Sequence, residues 1–153
     1  MSVIGIDLGN YNICIGKADN EGINILTNGT DDRNTRSMIS IKNNYRTIGN
    51  ENYNSWSNNT DNTFYDIQYL LGKKLNDIEQ EKILFKLYKL TDDFIGMKID
   101  NSIITCQQLL SILLIELFDN FNISNSTEIL SISVPYNYSF LQRKMLQNIP
   151  NIS

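Results

Sequence analysis

A mixed α/β fold, in which an antiparallel meander and a later parallel strand share one sheet with flanking helices, is predicted by three patterns in the chain. Apolar residues alternate through three short N-terminal runs joined by turns. Two helix starts, at Thr105 and Ser139, carry the spacing of a reciprocal cap. A last strand, Leu130 to Val134, follows the longer helix and can return parallel to the first strand after that crossover. The 153 residues suit one domain, or one piece of a larger one. Such a chain buries roughly 70% of its unfolded surface.

Val3, Ile4 and Ile6 lead as the first strand into Asp7-Leu8-Gly9, and Ile13, Ile15 and Ala18 return as the second. Asp19-Asn20-Glu21-Gly22 turns the chain into a third, Ile23 to Leu26. Asn28 to Arg36 reads as a polar loop. Ser37 to Lys42 and Tyr45 to Ile48 form a hairpin across Asn43-Asn44 that ends at Gly49, and Asn50 to Asp61 is too polar to make core of its own. Thr63 to Leu71 presents Phe64, Ile67, Leu70 and Leu71 at helical spacing, with Gln68 on the polar side and Gly72 placed to cap the end.

Leu84 to Leu90 and Phe94 to Ile99 read as strands separated by Asp92-Asp93, and Asn101 lies in a turn leading to Thr105. From that cap, Leu109, Leu110, Leu113, Leu114, Leu117, Phe118 and Phe121 make a broad apolar helical face. Pro135 ends the strand Leu130 to Val134, because proline donates no ladder hydrogen bond. Ser139 with Gln142 opens the last helix, through Leu141, Met145 and Ile149, and Pro150 stops it. Nothing after Ile149 covers the far edge of the sheet, so an incomplete domain is expected.

Composition removes several kinds of chemistry. There is no histidine, which excludes Ser-His-Asp and Cys-His triads and histidine metal sites. Cys14 and Cys106 lie in apolar contexts without zinc or redox spacing. A net charge of −4 without a basic cluster argues against nucleic acid. Neither a leader peptide nor a membrane-length apolar run is legible, so a cytoplasmic protein with no membrane partner is expected. The abundance of Asn and Ile beside a single alanine, Ala18, reads as drift in base composition. Sequons such as Asn28-Gly29-Thr30 and Asn122-Ile123-Ser124 then arise by chance.

The first hairpin is the chemically suggestive part. Asp7 stands where a strand gives out and can hold a hydrated Mg²⁺. Gly9 allows a turn with positive φ and leaves no side chain in a ligand's way, so the turn's N–H groups can point at an anion. An ordinary hairpin with an exposed turn aspartate has the same local pattern.

Further landmarks agree in order and spacing. Asp7-Leu8-Gly9 with Gly16 resembles the first phosphate motif of the actin-like ATPase superfamily. Arg33-Asn34-Thr35-Arg36-Ser37 resembles the R-x-T-P-S segment of heat-shock protein 70 chaperones, with the proline replaced. Tyr45-Arg46-Thr47-Ile48-Gly49, Asn62-Thr63-Phe64, Leu70-Leu71-Gly72-Lys73-Lys74, and Val134-Pro135 with Gln142-Arg143 continue the series. The chain thus resembles the N-terminal part of the nucleotide-binding domain of the heat-shock protein 70 and 110 family. Gly9-Asn10-Tyr11-Asn12 in place of a G-T-T run is more like the 110 branch, whose members act chiefly as nucleotide-exchange factors; ribosome-associated relatives vary here too. A sugar or acetate kinase of the same superfamily shares the Asp-Gly motif but not the later landmarks.

The resemblance implies an actin-like ATPase (ribonuclease H-like) first lobe. Residues 1–36 and 105–153 would form its sheet-and-helix core, 37–104 an inserted smaller subdomain, and the second lobe is expected to be absent. It implies ATP or ADP with Mg, held through Asp7, Gly9, Asn10 and Tyr11 once both lobes are present, with Asp7 on the metal through water. Gln68 aligns with the family's catalytic lysine and supplies no cation, so whether the chain is an enzyme is left open and weak or no hydrolysis is expected. Tyr11 replaces a threonine and either crowds the phosphates or points away. Pro135 and Arg143 correspond to residues that relay nucleotide state; their plain alternatives are a strand terminator and a solvated helix residue. The function implied is a chaperone or a nucleotide-exchange co-chaperone, with heat-shock protein 70 chaperones or co-chaperones as partners. A non-catalytic docking protein for a chaperone or the ribosome is the alternative.

Overall fold

The computed structural model describes residues 3–43, 45–79, 82–123 and 129–149. Its main sheet has the order β11 (Ile129–Ser133), β1 (Val3–Leu8), β2 (Asn12–Asp19), β3 (Gly22–Ile25), with a short β4 (Thr35–Arg36) also pairing β2. Strands β1 (Val3–Leu8), β2 (Asn12–Asp19) and β3 (Gly22–Ile25) are the expected antiparallel meander. The last strand, β11 (Ile129–Ser133), runs parallel to β1 with Asp7 opposite Ser133. The mixed sheet is therefore present as the sequence predicts. Ladder partners share a face of a sheet, and the face carrying Ile4, Ile6, Leu8, Ile13 and Ile15 is buried. The other face carries Gly5, Asp7, Cys14, Gly16 and Ser133.

Two smaller sheets come from the middle of the chain. β5 (Met38–Lys42) pairs both β6 (Tyr45–Ile48) and β7 (Thr63–Tyr65), and β9 (Ile95–Ile99) pairs both β8 (Leu87–Lys89) and β10 (Ser102–Thr105). Helix α3 (Cys106–Asn120) is capped at Thr105, whose side chain accepts from the Gln108 N–H while Gln108 accepts from the Thr105 N–H. It buries Leu109, Leu110, Leu113, Leu114 and Leu117 in one hydrophobic cluster with Ile4, Ile39, Phe64 and Met97. Helix α4 (Phe140–Gln147) starts from the same kind of cap at Ser139 and Gln142.

Several local expectations are corrected. Thr63 to Leu71 is not one helix: Thr63–Tyr65 joins a sheet, Asp66 takes a left-handed φ of 53°, and only Ile67–Leu70 forms the helix α2. The strand is favoured because Phe64 lies opposite Ile39 and both are buried there. Gly72, at φ 69°, does end the segment. Asn50–Ser55 forms the helix α1 although the stretch is polar, and its buried side chain is Asn52, hydrogen-bonded to Thr47. The polar loop ends in strand β4 (Thr35–Arg36), opposite Ile13 and Asn12. Asn28 organises that loop by accepting from the N–H groups of Thr30 and Asp32.

The strand expected over Leu84 to Leu90 shrinks to Leu87–Lys89, and the turn leading to Thr105 contains β10. Ile149, just past α4, is buried as expected and Met145 is half-buried, but Leu141 is exposed and the buried residue within the helix is Leu146. Pro150, Asn44 and the sequon residue Ser124 lie outside the described residues.

Candidate functional site

Strand β1 delivers Asp7 to the C-terminal end of the main sheet, exposed, on the face opposite the core. Its Oδ1 accepts a hydrogen bond from the Ser133 hydroxyl at 2.5 Å, which fixes the carboxylate between β1 and β11. The turn that follows is closed by the Gly9 N–H donating to the Asn12 carbonyl at 3.1 Å. Gly9 is required there for a reason other than the one expected. Its φ is not positive; instead a Cβ on it would stand 2.6 Å from the Asn12 carbonyl oxygen, so any side chain would force the turn open.

Gln68 is not on a polar face but fully buried beneath this turn. Its Nε2 donates to the Gly9 carbonyl at 3.1 Å and to the Ser37 hydroxyl at 2.6 Å. Its Oε1 is buried without a partner. Helix α2 is short enough, and Asp66 bends the backbone enough, that the first turn of α2 points inward and tucks Gln68 among Ile67, Leu70 and Leu71. The Tyr138 hydroxyl donates to the Gln68 backbone carbonyl at 2.8 Å, and burial pushes that phenol up to about 12.

Pro135 and Arg143 are brought together. Arg143 donates from Nε to the Tyr138 carbonyl at 3.2 Å, and from one terminal nitrogen to the carbonyls of Tyr136 at 3.3 Å and Pro135 at 3.5 Å. The guanidinium thus holds the turn that connects β11 to α4, and the same turn places Tyr138 on Gln68. Arg143 is more than a solvated helix residue. Asp7, Gly9 and Gln68 are joined to Pro135 and Arg143 through Ser133 on one side and Tyr138 on the other.

Tyr11 is 76% exposed, with the Arg36 guanidinium 6.0 Å from its ring centre. Asn10 is exposed beside it at the tip of the turn. Sequence reasoning missed Ser133, Ser37 and Tyr138. Ser133 was accessible once β11 is set parallel to β1, because the pairing brings it opposite Asp7; no local signal marks Tyr138.

The residues fit a hydrated, phosphate-bound divalent ion in their donor chemistry. Asp7 offers one exposed carboxylate, Ser133 orients it, and Gly9 adds no side chain of its own beside it. Such an ion would take most of its ligands from water and phosphate, as Mg²⁺ does. At the position of the expected lysine, Gln68 offers a buried amide and no positive charge. Among the described residues no cluster of three or more metal-ligating side chains occurs, and no helix is long and apolar enough to cross a membrane.

Known proteins give the same picture along the sequence. The profile described as Hsp70 protein matches residues 3–153. The chain is 33% identical over 125 residues to heat shock protein 110 of Caenorhabditis elegans, covering 76% of this chain and 16% of that protein. It is 34% identical over 96 residues to heat shock 70-related protein 5 of Dictyostelium discoideum, covering 60% of this chain and 19% of that one. With heat shock protein 88 of the same organism it shares 26% identity over 161 residues, covering 99% of this chain and 21% of that protein. The chain spans about a fifth of the length of these relatives. With the mixed sheet, the Asp7 and Gly9 turn and a family match running from the first strand to the end, this chain belongs to the Hsp70 family and has its actin-like ATPase fold.

Proposed function

We propose that this chain is one wall of the nucleotide site of a divergent chaperone or nucleotide-exchange co-chaperone of the heat-shock protein 70 and 110 type. In this reading residues 1–36 and 105–153 make the core of the lobe and 37–104 its inserted subdomain. ATP or ADP with Mg binds when the opposing lobe is present, Asp7 reaching the metal through water and the turn Gly9-Asn10-Tyr11 facing the phosphates. Magnesium would supply charge neutralisation at the phosphates when bound; Asp7 would hold it through its water shell, and Ser133 holds Asp7. Hydrolysis is weak or absent.

One observation carries the last point. Gln68 is fully buried and committed, through Nε2, to Gly9 and Ser37. Phosphoryl transfer depends on stabilising charge that develops on the phosphate, and a neutral amide held under the turn adds no cation to it. The cytosol is proposed as its place and heat-shock protein 70 chaperones or their co-chaperones as its partners.

Calorimetry with Mg-ATP and Mg-ADP on the protein at its natural length, beside Asp7→Asn, tests the binding half. Binding in the wild type and at least a tenfold loss in Asp7→Asn is the expected result, about 1.4 kcal/mol. Equal affinity in both, or none in either, removes Asp7 from the role. Turnover compared with Gln68→Lys tests the other half, and brisk hydrolysis by the wild type overturns it.

A second reading, a non-catalytic docking protein for a chaperone or the ribosome, is favoured by the surface beside Arg143. Tyr136 is 94% and Phe140 81% exposed on adjacent turns. Recovery of neither a chaperone nor ribosomal proteins with the wild type from native lysate counts against it.

A further inference from the structure

We propose that a cleft beside the Gly9 turn is a binding site for a small aromatic acid, a single ring whose anionic group rests on Arg36. The cleft measures about 220 Å³ and is walled by Tyr11, Met38, Tyr53, Trp56 and Tyr65, with Arg36 at its side. Tyr11 and Arg36 are two of the positions where this chain departs from the patterns it resembles, a threonine and a proline, and folding puts both on one cavity.

The guanidinium is held before any ligand arrives. Strand β4 fixes the backbone opposite Asn12, the Arg36 N–H donates to Asn50 Oδ1 at 3.3 Å, and a terminal nitrogen reaches Asn12 Oδ1 at 3.4 Å. The guanidinium carbon lies 4.5 Å from the Tyr53 ring centre and 6.0 Å from that of Tyr11. A planar guanidinium stacked on a ring keeps its N–H edges available for a carboxylate or phosphate, and loses less conformational freedom when it takes one. Trp56 meets Tyr65 edge to face, with centres 6.3 Å apart and planes at 83°. That leaves aromatic surface to line the cavity.

Size narrows the ligand. A cavity of about 150 Å³ takes a benzene ring, so this one has room for a ring and one acidic substituent. The Asp66 carboxyl also borders the cleft, and burial raises it from its ordinary value. None of this depends on nucleotide binding at Asp7.

Titration with phenyl phosphate, followed by the emission of Trp56, the one tryptophan of the chain, tests the assignment, with saturation-transfer NMR of the ligand as a second readout. Saturable binding is expected, with inorganic phosphate and phenol each weaker by at least about tenfold. Arg36→Ala should weaken it by a similar factor at unchanged circular dichroism, and Arg36→Lys by less. Should Arg36→Ala fail to fold, Arg36→Gln takes its place. Benzoate binding alongside phenyl phosphate supports a carboxylate ligand, and phenyl phosphate alone supports a phosphomonoester. No saturable binding in either readout, equal binding of inorganic phosphate, or undiminished affinity without the guanidinium overturns the proposal.

Discussion

The side-chain amide of Gln68 donates to the carbonyl of Gly9 across 59 positions of sequence at 3.1 Å, tying helix α2 to the underside of the turn between β1 and β2. The same nitrogen holds Ser37, while the amide oxygen finds no donor. The turn therefore rests on a neutral, half-satisfied buried side chain.

Replacing Gln68 by Ala should cost about 2–4 kcal/mol, because it opens a cavity and strands the Gly9 carbonyl and the Ser37 hydroxyl. Gln68→Met should cost clearly less, since it refills the space and also removes the orphaned oxygen. Urea unfolding measures both; equal losses would show that the hydrogen bonds of the amide, not its volume, carry the cost.

Gly9→Ala should destabilise by about 1–3 kcal/mol, because the new Cβ meets the Asn12 carbonyl oxygen at 2.6 Å. Gly29→Ala, where a Cβ meets nothing within 4 Å, is the matched control and should be near neutral. Thermal unfolding of the pair decides it, and similar midpoints would mean that the turn relaxes freely.

Alkaline pH should weaken the fold. Burial raises the Tyr138 phenol from 10.0 and the Cys106 thiol from 9.0, each to about 12, so the folded chain keeps both protons longer than the unfolded chain does. Their contribution is whole below pH 9 and is lost as pH rises from 9 towards 12, at about 1.4 kcal/mol per unit of difference. Denaturation midpoints between pH 8 and 12 should fall less steeply in Tyr138→Phe with Cys106→Ala than in the wild type. An identical slope sinks the assignment.

Arg143→Ala should release the turn at residues 135–138, whose three carbonyls it holds. A loss of about 1–2 kcal/mol is expected. Arg143→Lys should rescue little of it, because an ammonium cannot reach three acceptors with the planar fork. Amide exchange should quicken from Tyr136 to Ser139 in both variants; unchanged protection would return Arg143 to the status of a surface residue.

Where local periodicity and long-range pairing agree, the sequence reads correctly. The alternation of Val3 to Ala18 and the caps at Thr105 and Ser139 are short-range patterns, and each stands in the fold where expected. Where they compete, pairing wins. Thr63 to Leu71 has helical spacing, yet Phe64 is worth more opposite Ile39 in a sheet, so the first three residues are strand and the remainder turns Gln68 inward.

The sequence by itself determined the order of most elements, the family and Asp7 at a strand end, because these depend on residue type and spacing alone. Only the tertiary structure decided that Gln68 is buried under Gly9, that Ser133 holds Asp7, and that Tyr11 and Arg36 share a cleft. Each of those contacts joins segments that no local pattern relates. They form because closing the sheet and burying one face of it fixes which distant side chains must meet.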